Sequence, residues 1–296
     1  MNAFKNNIIA INGQRGCEWL NNLDCVVTHL SQKWLLSDLV PFKNLTFNYV
    51  LSGFQNCAED RIPIVLKIGI EHELLEKEAI ALKFFTNYGA VKLIDSCEGA
   101  LLMQRCVPGT SLMPYFPDHD EEAMEITANV IKKLHSAKFV DGLFQDIDVL
   151  LADLYAENSK CIPDRLLQKA RQFAEHLQKT TKQKVILHGD LHPDNIIKDG
   201  NDWKVIDPQA VVGDPIYELS SYKINPIDKL GQHPNAVEIS QNRIAKFSQL
   251  MNCDPKRLAQ WTFVKTVLCV IWTEGTEDMQ RRIELVNLYD KVIEEI

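Results

Sequence analysis

Apolar residues in the first part of the chain follow a helical and then a strand-like spacing. Between residues 17 and 36, apolar side chains recur at three- and four-residue steps, and Pro41 follows, which predicts a helix that ends before the proline. Apolar runs at 47–51 and 62–68 predict two strands, joined by a polar loop. The pattern therefore predicts one helix followed by the start of a β-sheet.

A second helix and a hairpin complete this β-rich region. Residues 71–88 have apolar positions on one side, which predicts a helix. The runs at 91–95 and 100–104 flank Glu98-Gly99 and predict a hairpin. Residues 106–109 contain proline and glycine, which predicts a break in regular structure and a hinge between two parts of the chain.

The remainder of the chain has mainly helical spacing. Seven helices are predicted, at 120–135, 146–158, 164–181, 215–222, 236–251, 254–272 and 276–296. The length of 296 residues exceeds one typical domain. We therefore expect an α+β protein with a small β-rich lobe at 1–105 and a larger, mostly helical lobe at 106–296.

The helical part is interrupted by a short β-rich segment. An apolar run at 184–187 predicts a buried strand, and Pro193 predicts a rigid loop after it. Two further runs, at 195–198 and 203–206, flank an Asp-Gly-Asn-Asp turn. Such a hairpin would bring Asp207 back beside Asn195.

The polar residues around this hairpin match the requirements of phosphoryl transfer. Residues 188–195 read His-Gly-Asp-Leu-His-Pro-Asp-Asn, and a second aspartate, Asp207, follows Asn195 by twelve residues. Transfer from ATP needs one aspartate to position and deprotonate a hydroxyl, and an asparagine and another aspartate to hold Mg²⁺. These residue types also cluster in ordinary turns. The joint pattern favours Asp190 as the base and a kinase as the class of enzyme.

Two other features refine this interpretation. His188 and His192 could suggest a metal pair, but the neighbouring acceptors are oxygens and no cysteine is close, so zinc is not expected. Lys67 lies inside an apolar run, where a buried ammonium needs an anion. The alternative interpretation is that Lys67 lies in an edge strand and that its ammonium reaches solvent. The chain has no G-x-x-x-x-G-K-[ST] motif, which excludes a P-loop enzyme.

Composition indicates which ligands and which cellular compartment to expect. The net charge of −8 argues against non-specific nucleic-acid binding and mildly favours cationic ligands. The eight cysteines are scattered without a Cys-x-x-Cys pair, which is typical of free thiols in a reducing cytosol. No segment is apolar for long enough to span a membrane or to form the core of a signal peptide. We expect a cytoplasmic protein that binds a small molecule and neither nucleic acid nor membrane.

With the motif at 188–195, the Val-Ile-Asp at 205–207 and the Gly-Asp-Pro-Ile-Tyr-Glu-Leu at 213–219, the chain resembles the aminoglycoside phosphotransferase family. The run 101–112, which resembles the family's hinge, and the C-terminal helical region bring it closest to the streptomycin 6-phosphotransferase branch. Gln209 stands where a basic residue is common, and Glu218 where aspartate is common. These departures leave the residues for phosphoryl transfer in place, but they affect which acceptor molecule is expected.

The resemblance implies a bilobal, protein-kinase-like fold with ATP as co-substrate and Mg²⁺ as cofactor. Asp190 is then the catalytic base, and Asn195 and Asp207 are the magnesium ligands. Lys67 pairs with the α- and β-phosphates, and Glu78 is its helical partner, with Glu76 as the fallback and Glu73 a further competitor.

The remaining implied residues are Ser52 in a phosphate-covering loop at 51–56, the backbone of Gln104 to Cys106 for adenine, and His188 and Asp214 as supports of the catalytic loop. His135, at the end of a helix, is interpreted as structural.

The acceptor molecule is inferred from acidic residues near the C-terminus. Glu274, Glu277 and Asp278 form an acidic cluster that suits a polyamine or guanidinium compound, although acids at the start of a helix also favour its dipole. The leading hypothesis is an ATP-dependent O-phosphotransferase for a hydroxylated, cationic molecule such as an aminoglycoside. The alternatives are a kinase for an amino alcohol or sugar on the same fold, and a catalytically silent nucleotide-binding module.

Overall fold

The computed structural model describes residues 2–57, 60–156, 161–276 and 278–296. The chain divides into two compact units, Met1–Gly109 and Thr110–Ile296. The assignment of nucleotide binding to residues 1–105 and of catalysis to 106–296 stays a prediction.

The first unit begins with a long helix, α1 (Asn2–Trp34), which is kinked at Gly13. Gly13 has φ 55° and ψ −130°, a conformation that only glycine adopts without strain. The sequence predicted this helix only from residue 17, because the kink interrupts the apolar period. Phe4, before the kink, is buried, and its ring centroid lies 5.8 Å from that of Tyr49.

A five-stranded antiparallel sheet follows, in the order β1-β2-β3-β5-β4. Its strands are β1 (Leu36–Pro41), β2 (Tyr49–Cys57), β3 (Asp60–Ile68), β4 (Leu93–Cys97) and β5 (Ala100–Gln104). The predicted hairpin at 91–104 is confirmed as β4 and β5. Strand β1 was not predicted, since Leu35 and Asp38 have positive φ and a bulge separates Ser37 from Val40.

The predicted loop at 51–56 is wrong. These residues belong to β2 and pair with β3 residue by residue, from Leu51↔Leu66 to Cys57↔Asp60. The polar side chains that indicated a loop extend the strand, because its backbone groups are satisfied by the neighbouring strand. Helix α2 (His72–Phe85) then crosses the sheet and contacts β4 and β5.

The second unit is mostly helical, as predicted. Helix α9 has a buried side chain at every position from 261 to 271, and it packs against its helical neighbours α5, α6, α8 and α10. The helices are α3 (Asp120–His135), α4 (Asp148–Leu151), α5 (Asp164–Thr180), α6 (Leu219–Lys223), α7 (Ile227–Leu230), α8 (Ala236–Met251), α9 (Pro255–Ile271) and α10 (Met279–Glu295).

Two predicted helices are shorter than expected. The segment 146–158 contains α4 and a 3-10 turn at Ala152–Tyr155, and 157–158 lie outside the described residues. The segment 215–222 consists of a 3-10 turn, Pro215–Glu218, that leads into α6. None of the helices in the described parts of the chain is long and apolar enough to cross a membrane.

Five short strands accompany these helices. Strand β7 (Val185–Leu187) pairs antiparallel with β10 (Val211–Gly213), which the sequence did not predict. Strands β6 (Pro108–Ser111), β8 (Ile196–Asp199) and β9 (Asp202–Val205) form a second sheet in the order β6-β8-β9. The predicted break at 106–109 is therefore wrong in part, since its last two residues enter β6, the strand in which the two units divide.

Candidate active site

Strand β7 leads directly into the His-Gly-Asp motif, and His188 fixes the shape of that turn. His188 is fully buried; its Nδ1 accepts from the backbone N–H of Asp190 (3.3 Å), and its Nε2 lies 2.8 Å from the carbonyl oxygen of Ile206. A ring that accepts at Nδ1 and donates at Nε2 is neutral. Burial lowers the pKa of His188, which favours this neutral form. His188 thus links the turn that carries Asp190 to the backbone that follows β9.

Asp190 carries a carboxylate that is partly open to solvent. Its side chain is 34% exposed, and its Oδ1 accepts from the hydroxyl of Ser221 at 3.2 Å. The Nζ of Lys265 lies 3.5 Å from Oδ1, and the Nε2 of His192 lies 3.8 Å from Oδ2. Burial alone would raise the pKa of Asp190, but Lys265, His192 and the Ser221 hydroxyl lower it to about 2. The group is therefore an ionised, accessible carboxylate at neutral pH.

Glu218 holds the backbone of this turn from below. Its carboxylate is buried and accepts from the backbone N–H of His188 at 2.6 Å and of Gly189 at 3.0 Å. His135, at the end of α3, lies 3.5 Å from the same carboxylate. Burial raises the pKa of Glu218, but these donors outweigh it and lower the pKa below its ordinary value. The sequence noted Glu218 only as a departure from the family pattern and missed this contact.

Asn195 and Asp207 lie at the two ends of the β8–β9 hairpin. Ile196 pairs with Val205, and the carbonyl oxygen of Asn195 accepts from the N–H of Ile206 at 3.1 Å. Asp207, which has φ 58° and an exposed side chain, follows directly. The hairpin thus returns Asp207 to the neighbourhood of Asn195, as its length predicted.

The sequence predicted a rigid loop from 191 to 195, and the last three residues of this segment form a 3-10 turn. Pro193–Asn195 form a 3-10 turn, because proline fits the first position of a helical turn, where no backbone donor is needed. The amide Nδ2 of Asn195 donates to the carbonyl oxygen of Asp190 at 3.0 Å. Its Oδ1 and the carboxylate of Asp207 are hard oxygen donors, the chemistry that Mg²⁺ prefers. The residue types present therefore fit a magnesium site.

Asp214 anchors the element that carries Glu218. It caps the 3-10 turn at Pro215–Glu218 by accepting from the N–H of Ile216 at 3.0 Å. From α9, Trp261 Nε1 donates to it at 2.8 Å and Arg257 Nε at 2.7 Å. Asp214 is thereby buried and paired, in a position that supports the catalytic turn through Glu218.

In the first unit, Lys67 is a buried lysine with a carboxylate partner. Ile64, Leu66 and Ile68 belong to the core packed around α1, so the alternation along β3 turns Lys67 to the other side of the sheet. Its Nζ lies 2.7 Å from Glu78 Oε2 on α2, and both side chains are 10% exposed or less. Strand β3 is central, between β2 and β5, so the edge-strand alternative is wrong. The competing acids Glu73 and Glu76 are exposed.

The other nucleotide-site residues predicted in the first unit are placed as follows. Ser52 lies in β2, and its hydroxyl donates to the carbonyl oxygen of Val40 at 3.3 Å. The N–H of Gln104, at the end of β5, donates to the carbonyl oxygen of Lys92 at 2.9 Å, so it is already used. Cys106 is buried. An adenine bound at this segment would therefore need a donor other than the Gln104 amide.

The role of the acidic cluster at the rim of an acceptor pocket stays a prediction. Glu274 is exposed in the turn after α9, and Asp278 is exposed and pairs with Arg281 at 3.5 Å. Neither makes a contact with Asp190 among the described interactions, and Glu277 lies outside the described residues. A tryptophan, Trp272, contacts the lysine that lies beside Asp190. Its side chain is 39% exposed, and its ring centroid lies 4.8 Å from Lys265 Nζ.

Lys265 is the residue of this region that the sequence analysis missed. Its signal is the same as that of Lys67, a single lysine within a long apolar run, Trp-Thr-Phe-Val-Lys-Thr-Val-Leu. Burial among apolar side chains requires such a lysine to find an anion. Here the anion is Asp190.

Comparison with known proteins identifies relatives of the whole arrangement. The chain is 24% identical over 271 residues to streptomycin 6-kinase of Streptomyces griseus, covering 88% of this chain and 86% of the relative. It is 26% identical over 271 residues to hydroxyurea phosphotransferase of Kitasatospora aureofaciens, covering 88% and 76%. Among solved structures, aminoglycoside phosphotransferase APH(4)-Ia in complex with ADP and hygromycin B superposes with a TM-score of 0.66 at 15% identity, covering 90% of this chain and 97% of that one.

The family match and the fold agree. The structural likeness confirms the predicted protein-kinase-like fold, with a β-rich first unit and a helical second one. Residues 51–276 match the family described as aminoglycoside/hydroxyurea antibiotic resistance kinase, which is more than half of the chain. The chain therefore belongs to the aminoglycoside/hydroxyurea antibiotic resistance kinase family and is a phosphotransferase with an alcohol group as acceptor.

Proposed function

We propose that this protein transfers the γ-phosphate of ATP, with Mg²⁺, to a hydroxyl group of an aminoglycoside, with streptomycin as the first candidate. The observation that carries the proposal is the ionised, one-third exposed carboxylate of Asp190, which is held on a turn braced by Glu218. The similarity to streptomycin 6-kinase across 88% of the chain supports the acceptor class.

Asp190 positions the acceptor hydroxyl. The hydroxyl oxygen forms a bond to the γ-phosphorus while the bond from that phosphorus to the β–γ bridging oxygen breaks and ADP leaves with the electron pair. The hydroxyl proton passes to the Asp190 carboxylate. Because the pKa of Asp190 is held at about 2, the carboxylate is a weak base, so alignment of the hydroxyl contributes more than proton abstraction.

Asn195 and Asp207 would hold the magnesium ion. Mg²⁺ binds through a few protein oxygens together with phosphate oxygens, and an amide and a carboxylate at adjacent strand ends supply that kind of site. When bound, the ion offsets the charge that develops on the phosphate oxygens. The Nδ2 of Asn195 is directed to the Asp190 carbonyl, which orients Oδ1 as the oxygen for the ion.

Lys67 would bind the phosphates of the nucleotide. Its ammonium is buried and held by Glu78 at 2.7 Å, so it is ordered before any nucleotide arrives. Such a preformed charge pairs with phosphate oxygens at a low entropic cost. Hinge backbone between Gln104 and Cys106 remains the proposed adenine contact, through groups other than the Gln104 N–H.

A second acceptor class is favoured by one observation. The match to the hydroxyurea phosphotransferase of Kitasatospora aureofaciens covers 88% of this chain, the same share as the match to the streptomycin kinase. Hydroxyurea also presents a hydroxyl group, but it is small and neutral. An acceptor site selected for streptomycin would instead contact guanidinium groups by charge-assisted hydrogen bonds.

The test is a coupled assay of ADP release with ATP and Mg²⁺. Streptomycin, hygromycin B, hydroxyurea, choline and simple sugars are each offered, with mass spectrometry of the product to detect one added phosphoryl group. Streptomycin-dependent turnover that Asp190→Asn removes supports the proposal. Turnover with hydroxyurea or a metabolite alone would retain the kinase and reject the aminoglycoside. Nucleotide binding without turnover on any acceptor would favour a silent binding module.

A further inference from the structure

One lysine of α9 lies within the stretch of this helix that is buried throughout. Lys265 is 2% exposed, and its neighbours in α9 from Trp261 to Ile271 are all buried. An ammonium in such surroundings is costly unless an anion compensates it. Its presence in this helix therefore points to a specific partner.

The ammonium of Lys265 is directed at the catalytic turn. Its Nζ lies 3.5 Å from both the carbonyl oxygen of Gly189 and Oδ1 of Asp190. The rings of Tyr217 and Trp272 enclose it, with centroids at 5.7 and 4.8 Å. Burial lowers the pKa of Lys265, but Tyr217 and Asp190 outweigh this and raise it above its ordinary value. The group is therefore a cation that faces the proposed base.

The position of Lys265 on α9 links it to the rest of the support. Arg257, Trp261 and Lys265 are spaced by four residues and so share one side of the helix. The first two donate to Asp214, and the third contacts Asp190. One side of α9 thus contacts both Asp190 and Asp214.

We propose that Lys265 is a positioning residue that sets the orientation of the Asp190 carboxylate toward the acceptor hydroxyl. This inference deepens the proposed function and rests on it for the role of Asp190. Ser221 and Lys265 both contact Oδ1, whereas the described contact of Oδ2 is the more distant Nε2 of His192 at 3.8 Å. Oδ2 is therefore the oxygen that we assign to the acceptor. Without the cation, Oδ1 keeps the Ser221 hydroxyl but loses its charged contact, so the carboxylate is held less firmly, and small errors in alignment reduce the rate of transfer strongly.

The chain offers a matched control in Lys223. Lys223, at the end of α6, is also fully buried, but its amino group donates to the carbonyl oxygen of Leu258 at 3.3 Å. Burial lowers the pKa of Lys223 well below its ordinary value. A lysine-to-methionine change at this position removes a buried amine without touching Asp190.

The kinetic test compares Lys265→Met, Lys265→Arg and Lys223→Met with the wild type. We expect Lys265→Met to lower kcat by about 10- to 100-fold with the KM for ATP changed by less than about threefold. Lys265→Arg should recover part of kcat, and Lys223→Met should keep kcat within about twofold. An unchanged kcat in Lys265→Met, or an equal loss in Lys223→Met, would overturn the proposal. A rise in the KM for ATP alone would indicate phosphate binding instead, and would overturn it too.

A second test needs no acceptor and so remains valid if the proposed substrate is wrong. Urea midpoints are measured for wild type, Asp190→Asn, Lys265→Met and the double variant. If the two groups interact, the double variant is more stable than the two single shifts predict by addition. Additive midpoints would refute the contact. If Lys265→Met fails to fold but the double variant folds, the contact is supported; if neither folds, Lys265 is structural and the proposal fails. Failure of the proposed function would appear separately, as wild-type protein without streptomycin turnover.

Discussion

Glu218→Gln tests how the catalytic turn is held in place. The wild-type carboxylate accepts from two backbone amides, of His188 at 2.6 Å and of Gly189 at 3.0 Å, in a fully buried site. Glutamine keeps one acceptor oxygen and replaces the other with an NH₂ group. One backbone N–H then faces a donor instead of an acceptor. The shape of the side chain is otherwise unchanged, so the variant alters only the acceptors of these two N–H groups and the charge that faces His135.

The expected loss follows from the bonds involved. A hydrogen bond to a charged group contributes about 1.5–3 kcal/mol, and a buried donor left without an acceptor costs about 1–3 kcal/mol. Allowing for overlap between these two contributions, we expect Glu218→Gln to lower the free energy of unfolding by about 2–5 kcal/mol. Single domains have about 5–15 kcal/mol of stability, so the variant should still fold. Its kcat should fall as well, because the turn carries Asp190.

The effect should depend on pH in a defined direction. Because the pKa of Glu218 is lowered below its ordinary value of 4.5, the folded state binds its proton less readily than the unfolded state does. The stabilisation is therefore complete above about pH 4.5 and is lost as the pH falls through the folded-state pKa. Glutamine does not titrate, so the difference between variant and wild type should shrink at low pH.

Urea unfolding at pH 7 and at lower pH, followed by tryptophan fluorescence, measures both effects. Glu121→Gln serves as the control, since the Glu121 side chain is 85% exposed and should change stability by less than about 0.5 kcal/mol. A loss at pH 7 no larger than that of the control would refute the reasoning. So would a difference that stays constant as the pH falls.

Three further experiments address the other charged groups. Asp190→Asn should lower turnover by about 10²- to 10⁴-fold while ADP binding, measured by calorimetry, is kept; wild-type turnover would exclude Asp190 as the base. Lys67→Met and Glu78→Gln should each cost about 3–5 kcal/mol, because each removes one partner of a buried ion pair, and the double variant should cost less than their sum in urea unfolding. Additive losses would contradict the pairing. Lys223→Met should raise stability, and more so at neutral pH than near pH 10, because burial lowers the pKa of this lysine; equal midpoints at both values would contradict that.

Some elements escaped the sequence analysis for local reasons. The first half of α1 was missed because the kink at Gly13 breaks the apolar period. Strand β1 was missed because a positive φ at Leu35 and Asp38 and a bulge disrupt its alternation. The segment 51–56 was assigned to a loop because it is polar, although pairing with β3 makes it a strand. In this last case, pairing with the neighbouring strand outweighed weak local preference.

The catalytic motif was predictable because its parts are close together in the sequence. A strand, a proline turn and a hairpin fix the relative positions of Asp190, Asn195 and Asp207 within twenty residues. Hairpin register depends on turn length, which can be read from the chain. Lys67 was found in a similar way, since a lysine inside a buried strand must have an anion nearby.

The sequence by itself thus determined the fold class and the reaction class, and it predicted the placement of Asp190, Asn195 and Asp207, because the motif that contains them is local. Only the tertiary structure decided which distant side chains support them. Glu218 reaches the turn from 30 residues away and Lys265 reaches Asp190 from 75. An apolar run containing one lysine predicts that a partner exists but not which carboxylate it is. That choice depends on how helices pack, which no local pattern specifies.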